Sequence, residues 1–236
     1  MNYLEPNKGI KVFDIQFDKQ TAGPSPNDNK RIELFLLGCD KAMNGFPCKG
    51  CFNQPLWDSN KAQHSLDPIE LAEWIIERTP ENERYITLGG GEPLLNIETI
   101  IPLCKHLKDN GFHIMMYTWR MLRFYLKDSK DITEDLIMAP NSNKVKEKLP
   151  QLLPYLDIIV DGQYKQEERL YQENCTDGFL SSIGSGNQYV WDIKHYNKFG
   201  TYRYYAMKDI QALKVSELDD SLIIYLKEGV NACAGN

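Results

Sequence analysis

The feature that most constrains this chain is a group of three cysteines, Cys39, Cys48 and Cys51, spaced C-x8-C-x2-C. The apolar run over residues 31–37 predicts a buried strand that leads directly into Gly38 and the first cysteine. In α/β folds, ligands bind in the loops that leave the carboxyl ends of the strands. The spacing therefore predicts a ligand site at the end of this strand.

Three clustered thiols have more than one explanation. Thiolates are preferred ligands of both iron–sulfur clusters and zinc, and spacing alone does not choose between them. A structural zinc needs a fourth ligand, for which Cys104 and His64 are candidates, whereas a cubane held by three thiolates leaves one iron free to bind a substrate or cofactor. Burial as plain apolar side chains is disfavoured by the charged neighbours Asp40, Lys41 and Lys49. Cluster and zinc both remain open at this point.

Composition narrows the range of functions. The 236 residues hold 27 Lys and Arg against 33 Asp and Glu, a net charge of -6 without a dense basic stripe, which disfavours nucleic-acid binding. No segment approaches the roughly 20 apolar residues of a membrane span, and residues 1–9 lack the pattern of a signal peptide. The six cysteines are then reduced thiols or metal ligands rather than a disulfide framework. We expect a soluble cytoplasmic protein.

Strand and helix patterns alternate along the chain. Asp67 and Pro68 supply an N-cap and a first helical residue, and Asn110-Gly111 supplies a helix stop. The patterns predict strands over 10–17, 31–37, 85–88, 112–117 and 157–161, helices over 67–78, 97–109 and 121–127, an exposed insertion over 128–147 with a short helix near 134–138, and late strands at 202–206 and 222–227. This order predicts a single α/β domain with parallel strands and crossover helices.

A glycine-rich turn follows the strand predicted at 85–88. Gly89, Gly90 and Gly91 let the backbone approach a ligand closely, and the carboxylate of Glu92 can meet an ammonium group. An ordinary strand-to-helix connection would use the same residues together with Pro93. The turn therefore supports a ligand site only in combination with the cysteines upstream.

The residues around the cysteines resemble those of the activating proteins of anaerobic ribonucleotide reductase, which are small radical S-adenosylmethionine enzymes. Gly50, Phe52, Asn53 and Trp57 carry this likeness. The family spacing is C-x3-C-x2-C, so this chain differs by having eight residues rather than three between its first two cysteines, with residues 42–46 effectively inserted.

Further segments extend the resemblance over residues 9–195. The stretch 87–94 resembles the family's Gly-Gly-Asp/Glu-Pro segment, which contacts the methionine part of the cofactor. The stretches 156–162 and 184–188 resemble a paired late motif that ends in Gly-Ser-Ser-Asn-Gln, from which Gly186 departs. Within the first of these, Asp161 is either a buried acid near the cofactor or the last residue of a strand before an Asp-Gly turn.

A shorter segment, Tyr117-Thr118-Trp119, stands where the family has an aromatic residue, Thr and Gly. Thr118 therefore matches and Trp119 does not. A strand end with packed aromatic side chains would explain the same residues. Of the other cysteines, we expect Cys104 in a helix core, Cys175 in a loop and Cys233 in a disordered tail.

The resemblance implies a fold, cofactors and site residues. The fold is a partial (β/α)6 barrel of the radical S-adenosylmethionine type, with a core over 1–195 and a C-terminal extension over 196–236. The cofactors are a 4Fe-4S cluster and S-adenosylmethionine. The cluster ligands are Cys39, Cys48 and Cys51, and the implied cofactor-binding residues are Gly50, Phe52, Asn53, Gly89, Gly90, Gly91, Glu92, Pro93, Thr118, Asn187 and Gln188.

The same resemblance implies an activity. The reduced cluster cleaves S-adenosylmethionine to a 5'-deoxyadenosyl radical, which generates a glycyl radical on the large subunit of anaerobic ribonucleotide reductase. A flavodoxin or ferredoxin type protein would donate the electron. Two alternatives stay open: the same chemistry on another protein, peptide or small molecule, and a non-catalytic zinc-binding module built on the same cysteines.

Overall fold

The computed structural model describes residues 3–4, 8–20, 22–26, 30–62, 64–126, 141–170 and 184–230. Cys175, Cys233 and the helix predicted near 134–138 lie outside these ranges. Across the described part of the chain, no helix combines the length and the apolar character that crossing a membrane requires.

Eleven strands are present in the described ranges, and seven of them form one central sheet. In chain order the strands are β1 (Tyr3–Leu4), β2 (Val12–Lys19), β3 (Arg31–Leu36), β4 (Ser65–Leu66), β5 (Tyr85–Gly90), β6 (His113–Thr118), β7 (Ile158–Asp161), β8 (Tyr189–Asp192), β9 (Tyr204–Ala206), β10 (Ile210–Val215) and β11 (Leu222–Leu226). The sheet order is β2-β3-β5-β6-β7-β8-β9. The four strands from β3 to β7 in this order are parallel, and β2, β8 and β9 are antiparallel to their neighbours.

Helices cover one face of this sheet. The α-helices are α1 (Asp40–Met43), α2 (Pro68–Ile76), α3 (Ile97–Asp109), α4 (Leu122–Leu126), α5 (Ser142–Leu152) and α6 (Ile193–Phe199). Side chains alternate between the faces of a strand, so Ile114 and Met116 of β6 join the core that the helices form, with α3 packed between α2 and α5. This larger core holds the parallel strands in register.

The C-terminal hairpin of β10 and β11 covers the opposite face. Met115 and Val160 point to this side and pack with Met207, Leu213 and Leu222 in a second apolar cluster. Because both faces of the central strands are covered, the strands read as nearly continuous apolar runs. The hairpin leaves the carboxyl ends of the strands clear, and the candidate site lies there.

At the amino ends of the parallel strands, Arg31 is enclosed by the chain itself. Its side chain is 1% exposed and donates to the Thr87 hydroxyl at 2.8 Å and to the carbonyl oxygens of Pro24 and Ile86, each at 2.7 Å. Burial lowers the pKa of Arg31 to about 10, which still leaves the guanidinium charged at neutral pH. The hydrogen bonds compensate for the desolvation of that charge.

The predicted α/β class is confirmed, and so are several local details. Asp67 accepts hydrogen bonds from the backbone N–H groups of Ile69 and Glu70, as expected of the N-cap of α2. The described sheet has four parallel strands rather than six, so the partial (β/α)6 barrel stays a prediction, as does the boundary between a core and an extension at residue 195. Helix α5 begins inside the segment expected to be an exposed insertion, and its Val145 is fully buried.

Candidate functional site

A cavity of about 240 Å³ opens at the carboxyl ends of the parallel strands. It contains side chains or backbone from the cysteine loop, the glycine-rich turn, the end of β6 and the two late segments. Its lining residues are Glu33, Cys39, Cys48, Cys51, Phe52, Asn53, Trp57, Gly89, Gly90, Gly91, Tyr117, Thr118, Trp119, Gly162, Tyr164 and Gln188. Segments that are far apart in sequence therefore meet at one site, where the cysteine spacing predicted it.

The three thiols of the cysteine loop all face this cavity. Each is a free, partly buried cysteine, and Cys51 Sγ accepts a hydrogen bond from the backbone N–H of Asn53 at 3.4 Å. Burial raises the pKa of Cys39 to about 12 and that of Cys48 to about 11, so these two thiols are protonated at neutral pH when no metal is bound. Binding of iron must therefore release protons from them.

The arrangement of these thiols fits a cluster. Within the described ranges, no three Cys, His, Asp or Glu side chains lie close enough to hold a single metal ion. Three soft thiolates that line one cavity form a donor set that suits a 4Fe-4S cluster.

Neither extra ligand that a zinc site would need is at the cavity. Cys104 is fully buried in α3 among the apolar residues of the larger core. His64 is exposed, and it does not line the cavity. The zinc interpretation therefore lacks its fourth ligand among the candidates that the sequence offered.

The glycine-rich turn lies against the start of the cysteine loop. A Cβ on Gly91 would stand 2.1 Å from the carbonyl oxygen of Gly38, and a Cβ on Gly90, whose φ is +95°, would stand 2.5 Å from the backbone nitrogen of Leu36. The backbone N–H of Glu92 donates to the Gly38 carbonyl at 2.7 Å. Glycine is required here for the close approach of two backbones, and the same approach places the turn beside Cys39.

Glu92 is buried and its carboxylate is used within the protein. One oxygen accepts from the Thr118 hydroxyl at 2.8 Å and from the Leu94 N–H at 3.0 Å, and the other accepts from the Trp119 N–H at 3.0 Å. Arg120 Nε lies 3.9 Å from it. Burial raises the pKa of Glu92 to about 7, against the opposing effect of Arg120. The carboxylate ties the glycine-rich turn to the end of β6 and does not line the cavity.

The two segments of the paired late motif, 156–162 and 184–188, are in direct contact. Asn187 donates to the carbonyl of Gln163 at 2.8 Å, and Gln188 donates to the carbonyl of Gly162 at 2.9 Å. Ser185 donates its hydroxyl to Asn187 Oδ1 at 2.7 Å. These bonds hold the turn after β7 at the edge of the cavity, which Gln188 reaches and Asn187 does not.

The predicted site residues thus separate into two groups. The cavity is lined by all three cysteines and by seven further predicted residues: Phe52, Asn53, Gly89, Gly90, Gly91, Thr118 and Gln188. Gly50, Glu92, Pro93 and Asn187 lie beside it without lining it. Gly50 has a φ of +70°, and a Cβ there would collide with the side chain of Gln166 at 2.5 Å, so its role is in the turn between two cysteines.

Several residues of the site were not predicted as such. Glu33, in the middle of β3, faces the cavity beside Gly89, and burial raises its pKa. The sequence feature that could have indicated Glu33 is a charged residue within an otherwise apolar strand. Tyr164 packs against Phe52 with ring centres 5.1 Å apart. Nothing in the local sequence around Tyr164 indicates this contact.

Comparison with known proteins gives the class. The anaerobic ribonucleoside-triphosphate reductase-activating protein of Haemophilus influenzae is 27% identical over 171 residues, which are 71% of this chain and 90% of the relative. The protein of the same name from Vibrio cholerae is 26% identical over 165 residues, 68% of this chain and 86% of the relative. A pyruvate formate-lyase-activating enzyme of Staphylococcus epidermidis is 29% identical over 102 residues, 42% of this chain and 39% of that enzyme.

These similarities and the site identify a radical S-adenosylmethionine enzyme of the activating type. The family model described as a 4Fe-4S single cluster domain matches residues 28–190, well over half of the chain. The chain belongs to this 4Fe-4S single cluster domain family, and its cofactors are a 4Fe-4S cluster and S-adenosylmethionine.

Proposed function

We propose that this chain activates a glycyl-radical enzyme, and that its target is the large subunit of an anaerobic ribonucleotide reductase. Two relatives whose names state that they activate such a reductase match about seven tenths of the chain. The observation that carries the proposal is the cavity in which three thiols face a glycine-rich strand end. Radical generation requires a cluster and a sulfonium cofactor side by side, and the three thiols and the glycine-rich backbone line the same cavity.

Cys39, Cys48 and Cys51 would hold the cluster. A bound cluster supplies the electron for reductive cleavage of S-adenosylmethionine. The exposed backbone of Gly89, Gly90 and Gly91, with Phe52, Asn53, Thr118 and Gln188, would form the cofactor pocket beside it. Glu92 and Asn187 contribute by fixing the turns that carry these residues.

Aromatic side chains surround the cavity. Phe52, Trp57, Tyr117, Trp119 and Tyr164 all line it. A reactive radical must be shielded from water and held next to its target carbon. The apolar rings serve both needs, because they exclude water and restrict the positions that a bound segment can take.

The overall architecture is compatible with this role. We infer that the four parallel strands are part of a radical S-adenosylmethionine barrel, with the hairpin of β10 and β11 filling its concave side below the cavity. The target segment then enters from the carboxyl ends of the strands. A flavodoxin or ferredoxin type protein is the proposed electron donor.

A second candidate target is another glycyl-radical enzyme. Two large apolar side chains of the loop between Cys39 and Cys48, Met43 and Phe46, are 50% and 52% exposed. A partner that docks over the cluster would meet this loop, whose length differs from the family spacing. The partial match to a pyruvate formate-lyase-activating enzyme points in the same direction.

The test is direct transfer of the radical. The anaerobically reconstituted chain, dithionite and S-adenosylmethionine are mixed with the reductase large subunit or with pyruvate formate-lyase, and the glycyl radical is measured by electron paramagnetic resonance. We expect the radical on the reductase and none on a variant whose target glycine is replaced by alanine. A radical on pyruvate formate-lyase alone would favour the second candidate. Cofactor cleavage without a radical on either protein would contradict both targets.

A further inference from the structure

The loop between Cys39 and Cys48 is attached to the end of β6 by a buried ion pair. Asp40 and Arg120 are 2% and 1% exposed, and Arg120 Nη2 donates to one carboxylate oxygen of Asp40. Trp119 Nε1 donates to the other oxygen at 3.0 Å. Both oxygens of Asp40 are therefore bound by neighbouring residues of a single segment, about eighty positions away in sequence.

Backbone hydrogen bonds fix the start of the loop, where the Cys39 N–H donates to the Trp57 carbonyl at 2.9 Å, but the helix that follows needs further contacts. Asp40 is the first residue of α1, a helix of four residues whose N-cap, Cys39, makes no side-chain capping bond. A single helical turn is not stable alone, so its position must come from contacts with the rest of the protein. The Asp40 carboxylate supplies such contacts one residue away from a thiol of the site.

Trp119 makes a second contact with the same helix. Lys41 Nζ lies 5.0 Å from the centre of the Trp119 ring, which allows a cation–π interaction. The Trp119 backbone N–H is itself bound by Glu92 at 3.0 Å, and Arg120 is bound by the Tyr125 hydroxyl at 3.0 Å. The segment that holds Asp40 is thus anchored to the glycine-rich turn and to α4.

We propose that Trp119 and Arg120 are positioning residues that hold Cys39 at the cluster site through the carboxylate of Asp40. The inference rests on the proposed assignment of Cys39 as a cluster ligand. Partners that orient a metal ligand without touching the metal commonly change metal affinity by roughly 10–100-fold when they are removed. Loss of the indole N–H should therefore weaken retention of the cluster while the fold persists.

The test variant is Trp119→Phe, which keeps an aromatic ring at the cavity but removes the indole donor together with the second ring. The matched control is Trp74→Phe on α2, where the ring packs against Arg78 at 4.3 Å and does not line the cavity. Each protein is reconstituted anaerobically, and the rate of iron release to a chelator is measured. The unfolding temperature of each metal-free protein and the resonance spectrum of each reduced cluster are recorded alongside.

We expect Trp119→Phe to release iron roughly tenfold faster than the wild type and to alter the spectrum of the reduced cluster. Trp74→Phe should match the wild type in its rate of iron release and in its cluster spectrum. This should hold even if its metal-free unfolding temperature falls as much as that of Trp119→Phe. If Trp119→Phe releases iron at the wild-type rate and has the wild-type spectrum, this inference is overturned but the proposed function is not. Equal acceleration in Trp74→Phe would also overturn it. A wild-type chain that takes up no cluster would overturn the proposed function, and this inference with it.

Discussion

The two ends of the parallel strands both bury an arginine, but they differ in what surrounds it. At the amino ends, Arg31 is bound on several sides by carbonyl and hydroxyl oxygens of the chain. At the carboxyl ends, Arg120 is also bound internally, yet beside it the thiols and Glu33 face an open cavity. Polar groups that the chain satisfies stabilise the fold, whereas polar groups that face a cavity indicate a ligand.

A nearby carboxylate at the amino ends supports the same distinction. Asp157, just before β7, accepts from Lys108 Nζ at 2.7 Å and from the Ile114 N–H at 2.7 Å. His113 and Lys108 lower the pKa of Asp157 in spite of its burial. The Glu33 side chain, in contrast, lines the cavity, and burial raises its pKa. Mutations at the two ends should therefore have different consequences.

The largest effect is expected at the thiols. Cys48→Ala should lower iron incorporation and abolish dithionite-dependent cleavage of S-adenosylmethionine, because no other described cysteine lines the cavity to replace it. The matched control is Cys104→Ala, which removes a thiol from the core of α3 and should retain its iron. Iron and sulfide analysis and product chromatography give the result. Cleavage at the wild-type rate in Cys48→Ala would refute the ligand assignment.

At the amino ends of the strands, we expect a large effect on stability rather than on cluster binding. Arg31→Met leaves several buried acceptors unpaired at about 1–3 kcal/mol each, so the free energy of unfolding should fall by at least about 3 kcal/mol. Urea unfolding of the metal-free protein measures this. The exposed Arg78, changed to Met, should shift stability by less than about 0.5 kcal/mol.

The informative readout for Arg31→Met is iron per folded chain, which should equal that of the wild type. A variant that folds normally but loses its cluster would show that the amino ends take part in the site. The contrast between the two ends would then be wrong.

A smaller effect is expected for Glu33→Gln. S-adenosylmethionine carries a sulfonium and an ammonium group, and a carboxylate at its pocket favours cationic ligands. The neutral amide should weaken binding up to roughly tenfold, equivalent to about 1.4 kcal/mol. Equilibrium dialysis with the reconstituted protein measures the affinity, and Glu98→Gln on the surface of α3 serves as the control. An unchanged dissociation constant would show that Glu33 does not face the cofactor.

An effect of similar size, which depends on pH, is expected at Asp161. Burial raises the pKa of Asp161 to about 7, well above the value of about 4 in an unfolded chain. The native state then binds this proton more tightly, so the contribution of Asp161 to stability is greatest below about pH 4 and is lost as the pH rises to about 7.

Asp161→Asn cannot ionise, so the variant does not lose stability as the pH rises. The amide keeps an oxygen for the Leu122 N–H, which donates to Asp161 at 2.6 Å. Relative to the wild type, the variant should gain on the order of 1–2 kcal/mol between pH 5 and pH 8 in urea unfolding of the metal-free protein. The same difference at both pH values would show that Asp161 does not titrate in this range.

Much of the fold follows from local sequence. The helix predicted over 97–109 has those bounds in the structure, because Asn110 and Gly111 end it. Helix α6, which starts at the N-cap Asp192, and strand β10 were not predicted. Strand β8 was not predicted either, and its antiparallel direction depends on the whole sheet rather than on the residues of one strand.

The site was predictable where it depends on residue type and spacing. The cysteines and glycines line the cavity because their chemistry and backbone freedom are local properties. Glu92 shows the limit, since its sequence does not reveal that its carboxylate is used by Thr118 and Trp119. The contact between Asp40 and Arg120 joins segments distant in the chain, and no periodic pattern indicates such a pair.

The central claim is that three thiols hold a 4Fe-4S cluster with one iron available to the cofactor. Electron paramagnetic resonance of the dithionite-reduced, anaerobically reconstituted protein, recorded before and after addition of S-adenosylmethionine, tests it most directly. We expect a cluster signal that changes when the cofactor is added. A signal that the cofactor leaves unaltered, or protein that contains zinc and no sulfide, would contradict it.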